Sequence, residues 1–76
     1  MKNLVELVVK ELVDVPDMVE IKETAGDSVI VIEIEVDPTD LGKVIGKHGQ
    51  TAKSIRTLLG AASAKAGKRA VLEILE

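Results

Sequence analysis

The sequence contains no Phe, Tyr or Trp and no Cys. Without rings, the core has to be filled by Val, Ile, Leu, Ala and two Met, and no aromatic side chain is available to stack on a nucleobase. Without cysteine there is no disulfide, no thiolate nucleophile and no cysteine-ligated zinc, and a reducing cytoplasm is the default location. Apolar runs are short: none approaches the ~18 residues of a membrane span, so no membrane insertion is expected. The N-terminus, Met1-Lys2-Asn3-Leu4-Val5-Glu6, carries Glu6 and Glu11 within its apolar pattern and no small-residue cleavage site, unlike a signal peptide. His48 is the single histidine, and no second His or clustered carboxylate follows it in sequence, so neither a metal nor a cofactor is expected.

Acid is missing from one part of the chain. Residues 41–72 hold seven Lys or Arg and no Asp or Glu, whereas residues 1–40 hold 11 acidic residues and three Lys. The net charge of -3 therefore conceals a basic stretch of the kind that contacts polyanions. Solvated helix faces give the same count, so the charge alone does not decide.

A length of 76 residues fits one domain, spanning 1–76. Leu4, Leu7, Val8 and Leu12 recur at helical spacing, with Val5, Val9 and Val13 widening the stripe. They predict a helix over 3–14, with Asn3 as N-cap and Glu6 completing a capping box before Pro16-Asp17 breaks it. Val19 and Ile21, then Ile30, Ile32, Ile34 and Val36, alternate with polar or outward residues and predict two strands around a Gly26-Asp27 turn. Asp37-Pro38-Thr39-Asp40 is a helix-start signal, with Asp40 near the positive end of the dipole. That helix is short and stops at Gly46; another begins near Gly49 and runs to Gly67 with Ala52, Ile55, Leu59, Ala62 and Ala66 as its buried stripe. Gly60 inside it costs about 1 kcal/mol relative to Ala, which close packing would explain. Ala70, Leu72 and Ile74 predict a last strand.

The joint between the two helices, Val44-Ile45-Gly46-Lys47-His48-Gly49-Gln50-Thr51, is the segment with chemistry. Glycines without a Cβ let a phosphodiester approach the main chain, and N–H groups at the start of the following helix favour an anion. Lys47 adds charge; Lys43, Lys53 and Arg56 lie close enough in sequence to neutralise neighbouring phosphates. Val44, Ile45 and Ile55 are the candidate apolar floor for unstacked bases. A nucleotide-hydrolysing P-loop is excluded, because only three residues separate Gly42 from Gly46 and His48, rather than Ser or Thr, follows Lys47.

Ile45-Gly46-Lys47-His48-Gly49 between two predicted helices resembles the I-G-x-x-G signature of the KH (K-homology) RNA-binding domain, and the order helix, strand, strand, helix, helix, strand resembles its type II form. The resemblance runs along the whole chain and extends to the KhpA-like, small single-KH-domain RNA-binding proteins of bacteria. It implies an α+β fold with three helices on one face of a three-stranded mixed sheet, and single-stranded RNA held by a GxxG backbone clamp. It further implies an RNA chaperone or post-transcriptional regulator affecting cell shape, partnered by a second KH-containing protein or a second copy of itself. Ala52 departs from the pattern, where a larger aliphatic often sits.

The rival reading is a protein-interaction or scaffold module acting mainly through a KH-containing partner, with Val29, Val31, Val71 and Leu75 on the sheet face away from the helices as its contact. An enzyme is not expected: there is no nucleophile–base pair, and acids are absent around the one distinctive loop.

Overall fold

The computed structural model describes residues 1–75; Glu76, the last residue of the expected domain span, lies outside the described residues. Helix α1 spans Lys2–Leu12. Its buried line is Val5 and Val9, continued by Val13 just past the helix, while Leu4, Leu7 and Leu12 are exposed. This corrects the leucine-led stripe: both sets recur at helical spacing, and docking on the sheet selects the line of Val5, Val9 and Val13 and leaves Leu4, Leu7 and Leu12 turned away. Asn3 does not cap either. Met1 occupies the N-cap position without a side-chain bond, and the Lys2 N–H donates to Glu23 Oε1 at 3.1 Å. A carboxylate from elsewhere in the fold thus serves the helix start, and Glu6 pairs with Lys10 at 2.9 Å one turn on, which holds the Glu6 carboxyl below its ordinary value.

Past a single 3₁₀ turn at Pro16–Met18, strands β1 (Glu20–Ala25) and β2 (Val29–Glu35) pair antiparallel. The expected turn joins them, with the Gly26 N–H donating to the Val29 carbonyl at 2.7 Å. Strand β3 (Arg69–Ile74) lies parallel to β2 on its other edge, giving the sheet order β1-β2-β3. A parallel pair needs a long crossover. Here it holds a 3₁₀ turn (Pro38–Asp40), the short helix α2 (Leu41–Ile45), another 3₁₀ turn (Lys47–Gly49) and helix α3 (Gln50–Lys65). The expected α-β-β-α-α-β order and mixed sheet are therefore observed.

Period-two alternation sends Ile30, Ile32 and Ile34 toward the helices, where they join Val5, Val9, Val44, Ile55, Leu59 and Leu72 in an aliphatic core. Val29, Val31, Glu33 and Glu35 face the other way, as do Val71 and Glu73 of β3; Leu75 follows that strand and is exposed. On this outer face carboxylates stand in register: Glu20 opposite Glu35, and Glu33 opposite Glu73, with Lys22 as the cation beside Glu33.

Helix α3 buries Ala52, Ile55, Leu59 and Ser63. The stripe reaches Ser63 rather than Ala62 and Ala66: both continuations keep helical steps of three and four, and the packing of α3 beside β3 selects the first; Ala62 is half-buried and Ala66 exposed. Ser63 is admissible inside because its hydroxyl donates to the Gly60 carbonyl at 3.2 Å. Gly67 (φ 70) ends the helix in a Schellman turn, with Lys68 N–H on the Ser63 carbonyl and Gly67 N–H on the Ala64 carbonyl.

Gly60 is not explained by close packing: it is exposed, and a Cβ there would meet nothing within 4 Å. Gly60→Ala should therefore raise stability by about 0.5–1 kcal/mol, through helix propensity and a less disordered unfolded chain. Urea unfolding followed by far-UV circular dichroism measures this, and a lower midpoint would show that the site is not open.

Candidate nucleic-acid interface

Pro38 starts the crossover because its fixed φ suits the first helical position. Asp37, the first residue of the helix-start signal, caps this turn, accepting from the Thr39 N–H at 2.9 Å and the Thr39 hydroxyl at 2.6 Å. That hydroxyl, then the N–H, keeps the Asp37 carboxyl below its ordinary value. Asp40 departs from the expected dipole role. It is fully buried, makes no capping bond to the backbone of its own helix, and accepts the Asp14 N–H at 3.1 Å and the Val15 N–H at 3.0 Å.

Helix α2 ends at Gly46, whose φ of 80° and ψ of 168° belong to a region that only glycine occupies readily. A Cβ on Gly46 would also strike the Thr51 hydroxyl and lie 2.7 Å from the Thr51 backbone nitrogen. After Lys47, His48 (φ 56) and Gly49 (φ 73) also have positive φ, His48 being the sole non-glycine with positive φ among the described residues. The turn closes on itself: the Gly49 N–H donates to the Gly46 carbonyl at 3.0 Å, and the Gln50 N–H donates to the Lys47 carbonyl. These two donors are used inside the loop, and Lys47 and His48 stand at its exposed tip.

The remaining sequence candidates divide by exposure. Gln50, Lys53 and Arg56 are exposed on α3, and Ile45, Gly46, Gly49 and Thr51 are half-buried at the loop. Val44 and Ile55 are 0% and 4% exposed. This corrects the three-residue floor: both lie on the stripes that pack against the sheet, so only Ile45 presents apolar surface beside the loop. Ala52 is likewise buried. Lys43 is exposed but engaged, its ammonium meeting the Asp14 carboxylate and, at 3.4 Å, Asp40 Oδ1. The Asp14 hydrogen bond raises the Lys43 pKa, against a partial opposing effect of burial.

The sequence reading missed Arg69. It stands with Arg56 at a cleft of about 250 Å3 between α3 and β3, whose other walls are Leu59, Ala70, Val71 and Leu72. The acid-free stretch contained the signal, but the two arginines are 13 positions apart and meet only through packing of β3 beside α3. Among the described residues no cluster of His, Cys, Asp and Glu is arranged to hold a metal, and no helix is long and apolar enough to cross a membrane.

The KH-domain model described as KhpA/KhpB matches residues 2–74. The chain belongs to that family. The parallel β2–β3 pair and the α-β-β-α-α-β order are its type II KH fold. Among curated relatives, RNA-binding protein KhpA of Aquifex aeolicus is 55% identical over 76 residues, covering 100% of this chain and 96% of the relative. RNA-binding protein KhpA of Clostridium acetobutylicum is 51% identical over 75 residues, 99% of this chain and 100% of the relative. The protein of that name from Chlamydia trachomatis is 43% identical over 76 residues, 100% of this chain and 97% of the relative. No solved structure matches.

Two measurements probe this KH site. Gly46→Ala should destabilise by about 1–3 kcal/mol, since it meets both forbidden backbone and the Thr51 side chain. Gly49→Ala, strained in φ but open in space, should cost less; equal thermal melts for the two variants would contradict the crowding at Gly46. The second concerns acid. The Asp14 N–H holds the Asp40 carboxyl below its ordinary value of 3.8, burial opposes this, and the Val15 N–H and Lys43 add to it. A depressed folded-state value contributes stability that is present above the unfolded value and lost as pH falls through the folded one, so the window lies below 3.8. Urea midpoints should drop below about pH 4, and drop less steeply in Asp40→Asn.

Proposed function

We propose that this KH domain binds single-stranded RNA by clamping its backbone over Gly46-Lys47-His48-Gly49. The observation that carries the reading is the glycine-bounded turn: Gly46 and Gly49, both at positive φ, place no side chain over the main chain, and Lys47 is exposed at the tip between them. Lys53 and Arg56 on α3 extend the positive charge, and Arg69 joins Arg56 at the neighbouring cleft. Gln50, Thr51 and Ile45 border the loop as polar and apolar contacts. Lys43 stands between the Asp14 and Asp40 carboxylates, which offset its charge.

Relatives of matching length are named RNA-binding proteins, which supports the polymer class. The absence of aromatic rings points to weak base selectivity, since stacking on a ring is worth about 1–3 kcal/mol per base. A cytoplasmic role as RNA chaperone or post-transcriptional regulator is consistent with a small domain that grips backbone rather than sequence. A scaffold role beside RNA binding is favoured by one feature, the apolar seam between α1 and α3 lined by Leu4, Val8, Ile55 and Leu58, with Leu4 47% and Leu58 54% exposed. A KH-containing partner or a second copy would cover it.

Replacing both tip residues, Lys47→Asp with His48→Asp, should abolish RNA binding and leave the fold intact, because both side chains are exposed and the glycines keep the turn. Circular dichroism melting checks the fold, and titration of a labelled single-stranded RNA in low salt checks binding. Wild-type affinity in the folded double variant would overturn the clamp.

A further inference from the structure

We propose that Asp40 is a positioning residue for RNA binding: its carboxylate clasps the Asp14 and Val15 N–H groups and the Lys43 ammonium, and so fixes α2 and the Gly46–Gly49 turn against the segment between α1 and β1. The inference rests on the backbone-clamp reading and adds to it a residue that is buried and touches no RNA. Helix α2 has five residues, too few to hold a direction by its own hydrogen bonds. Val44, fully buried, sets how deep it sits. Leu41, half-buried against the same core, is an apolar and non-directional contact like Val44, so a directed polar contact is what sets the rotation of the helix about them.

Asp40 makes that contact. Its two oxygens accept from two successive backbone donors 25 and 26 residues away, Oδ2 from Val15 at 3.0 Å and Oδ1 from Asp14 at 3.1 Å. A two-point grip fixes the plane of the carboxylate as well as its position. The third partner, Lys43, lies on α2 itself and also reaches Asp14, so the clasp closes from both sides. Among the described residues no buried side-chain oxygen or nitrogen is left without a partner. The Asp14 and Val15 N–H groups fall just after α1 gives way to extended backbone at Val13, where the helix offers them no carbonyl. At 1.5 Å rise per residue, an error in direction at Asp40 is carried about 9 Å to Gly46. An asparagine could keep one of the two acceptors and would turn an NH₂ toward the other donor.

The test titrates a short, fluorescein-labelled single-stranded RNA of mixed sequence into the wild-type chain, Asp40→Asn and Lys47→Gln in low salt, at a temperature where circular dichroism shows each folded. Asp40→Asn should lose affinity about tenfold while keeping the wild-type dependence of log K on log salt, since no phosphate-contacting cation is removed. Lys47→Gln should lose affinity with a slope shallower by about 0.7. A role confined to stability would lower the melting temperature of Asp40→Asn and leave the affinity of the folded protein within about twofold, which would overturn the proposal. Should Asp40→Asn not fold, amide hydrogen exchange on the unmutated chain decides. Saturating RNA should slow Asp14 and Val15 together with Gly46 and Gly49, and slowing of the loop glycines alone overturns the clasp. Failure of the wild-type chain to bind, or wild-type affinity and salt slope in Lys47→Gln, would instead remove the clamp reading and the positioning role with it.

Discussion

Everything in this fold hangs on β2 being paired along both edges at once. Strand β1 hydrogen-bonds it antiparallel and β3 hydrogen-bonds it parallel, so β2 has no free edge, and Ile30, Ile32 and Ile34 are held in line under the helices. A core without rings reaches interior density mainly with β-branched and leucine side chains, and such chains pack well only when the surfaces presenting them are fixed. The valines of α1, with Val44, Ile55 and Leu59, close over the isoleucines and fix the three helices relative to the sheet.

The parallel pairing has a second effect. Because β3 runs alongside β2, the chain must return the length of the sheet between them, and the return is made by two helices instead of one. The interruption is where backbone comes to the surface. Gly46 permits it, since its φ and ψ and the Thr51 side chain leave room for a hydrogen atom and nothing larger. The loop's exposed tip and its buried ends are thus consequences of topology, with Val44 and Ile55 securing the helix on each side from below.

Local signals were legible in the sequence wherever a residue's backbone preference settles the matter. Pro38, Gly46, Gly49 and Gly67 mark helix starts and stops because few other residues fit there, and the Ile30-Ile32-Ile34 alternation can mean only a strand with one buried face. What stayed hidden depends on which surfaces meet. Valine and leucine stripes on α1 have the same period, and only docking to the sheet selects the valines. Asp40 reads as a dipole residue until the chain past α1 is laid beside it, and Lys43 as a free cation until Asp14, 29 positions distant, is found against it. Arg69 gains meaning from Arg56 in the same manner. Val44 and Ile55 match an apolar signature whose purpose in this chain is core packing.

The carboxylates in register on the outer face of the sheet, Glu20 beside Glu35 and Glu33 beside Glu73, oppose one another and would be avoided if stability alone had shaped that surface. The acid-free residues of the crossover, from Leu41 on, lie on the opposite side beside α1 with its Glu6 and Glu11, so positive charge is concentrated at α3 and the Gly46–Gly49 turn. A polyanion meets like charge at the back of the sheet and opposite charge at the turn and α3, so charge biases which part of the surface it reaches first.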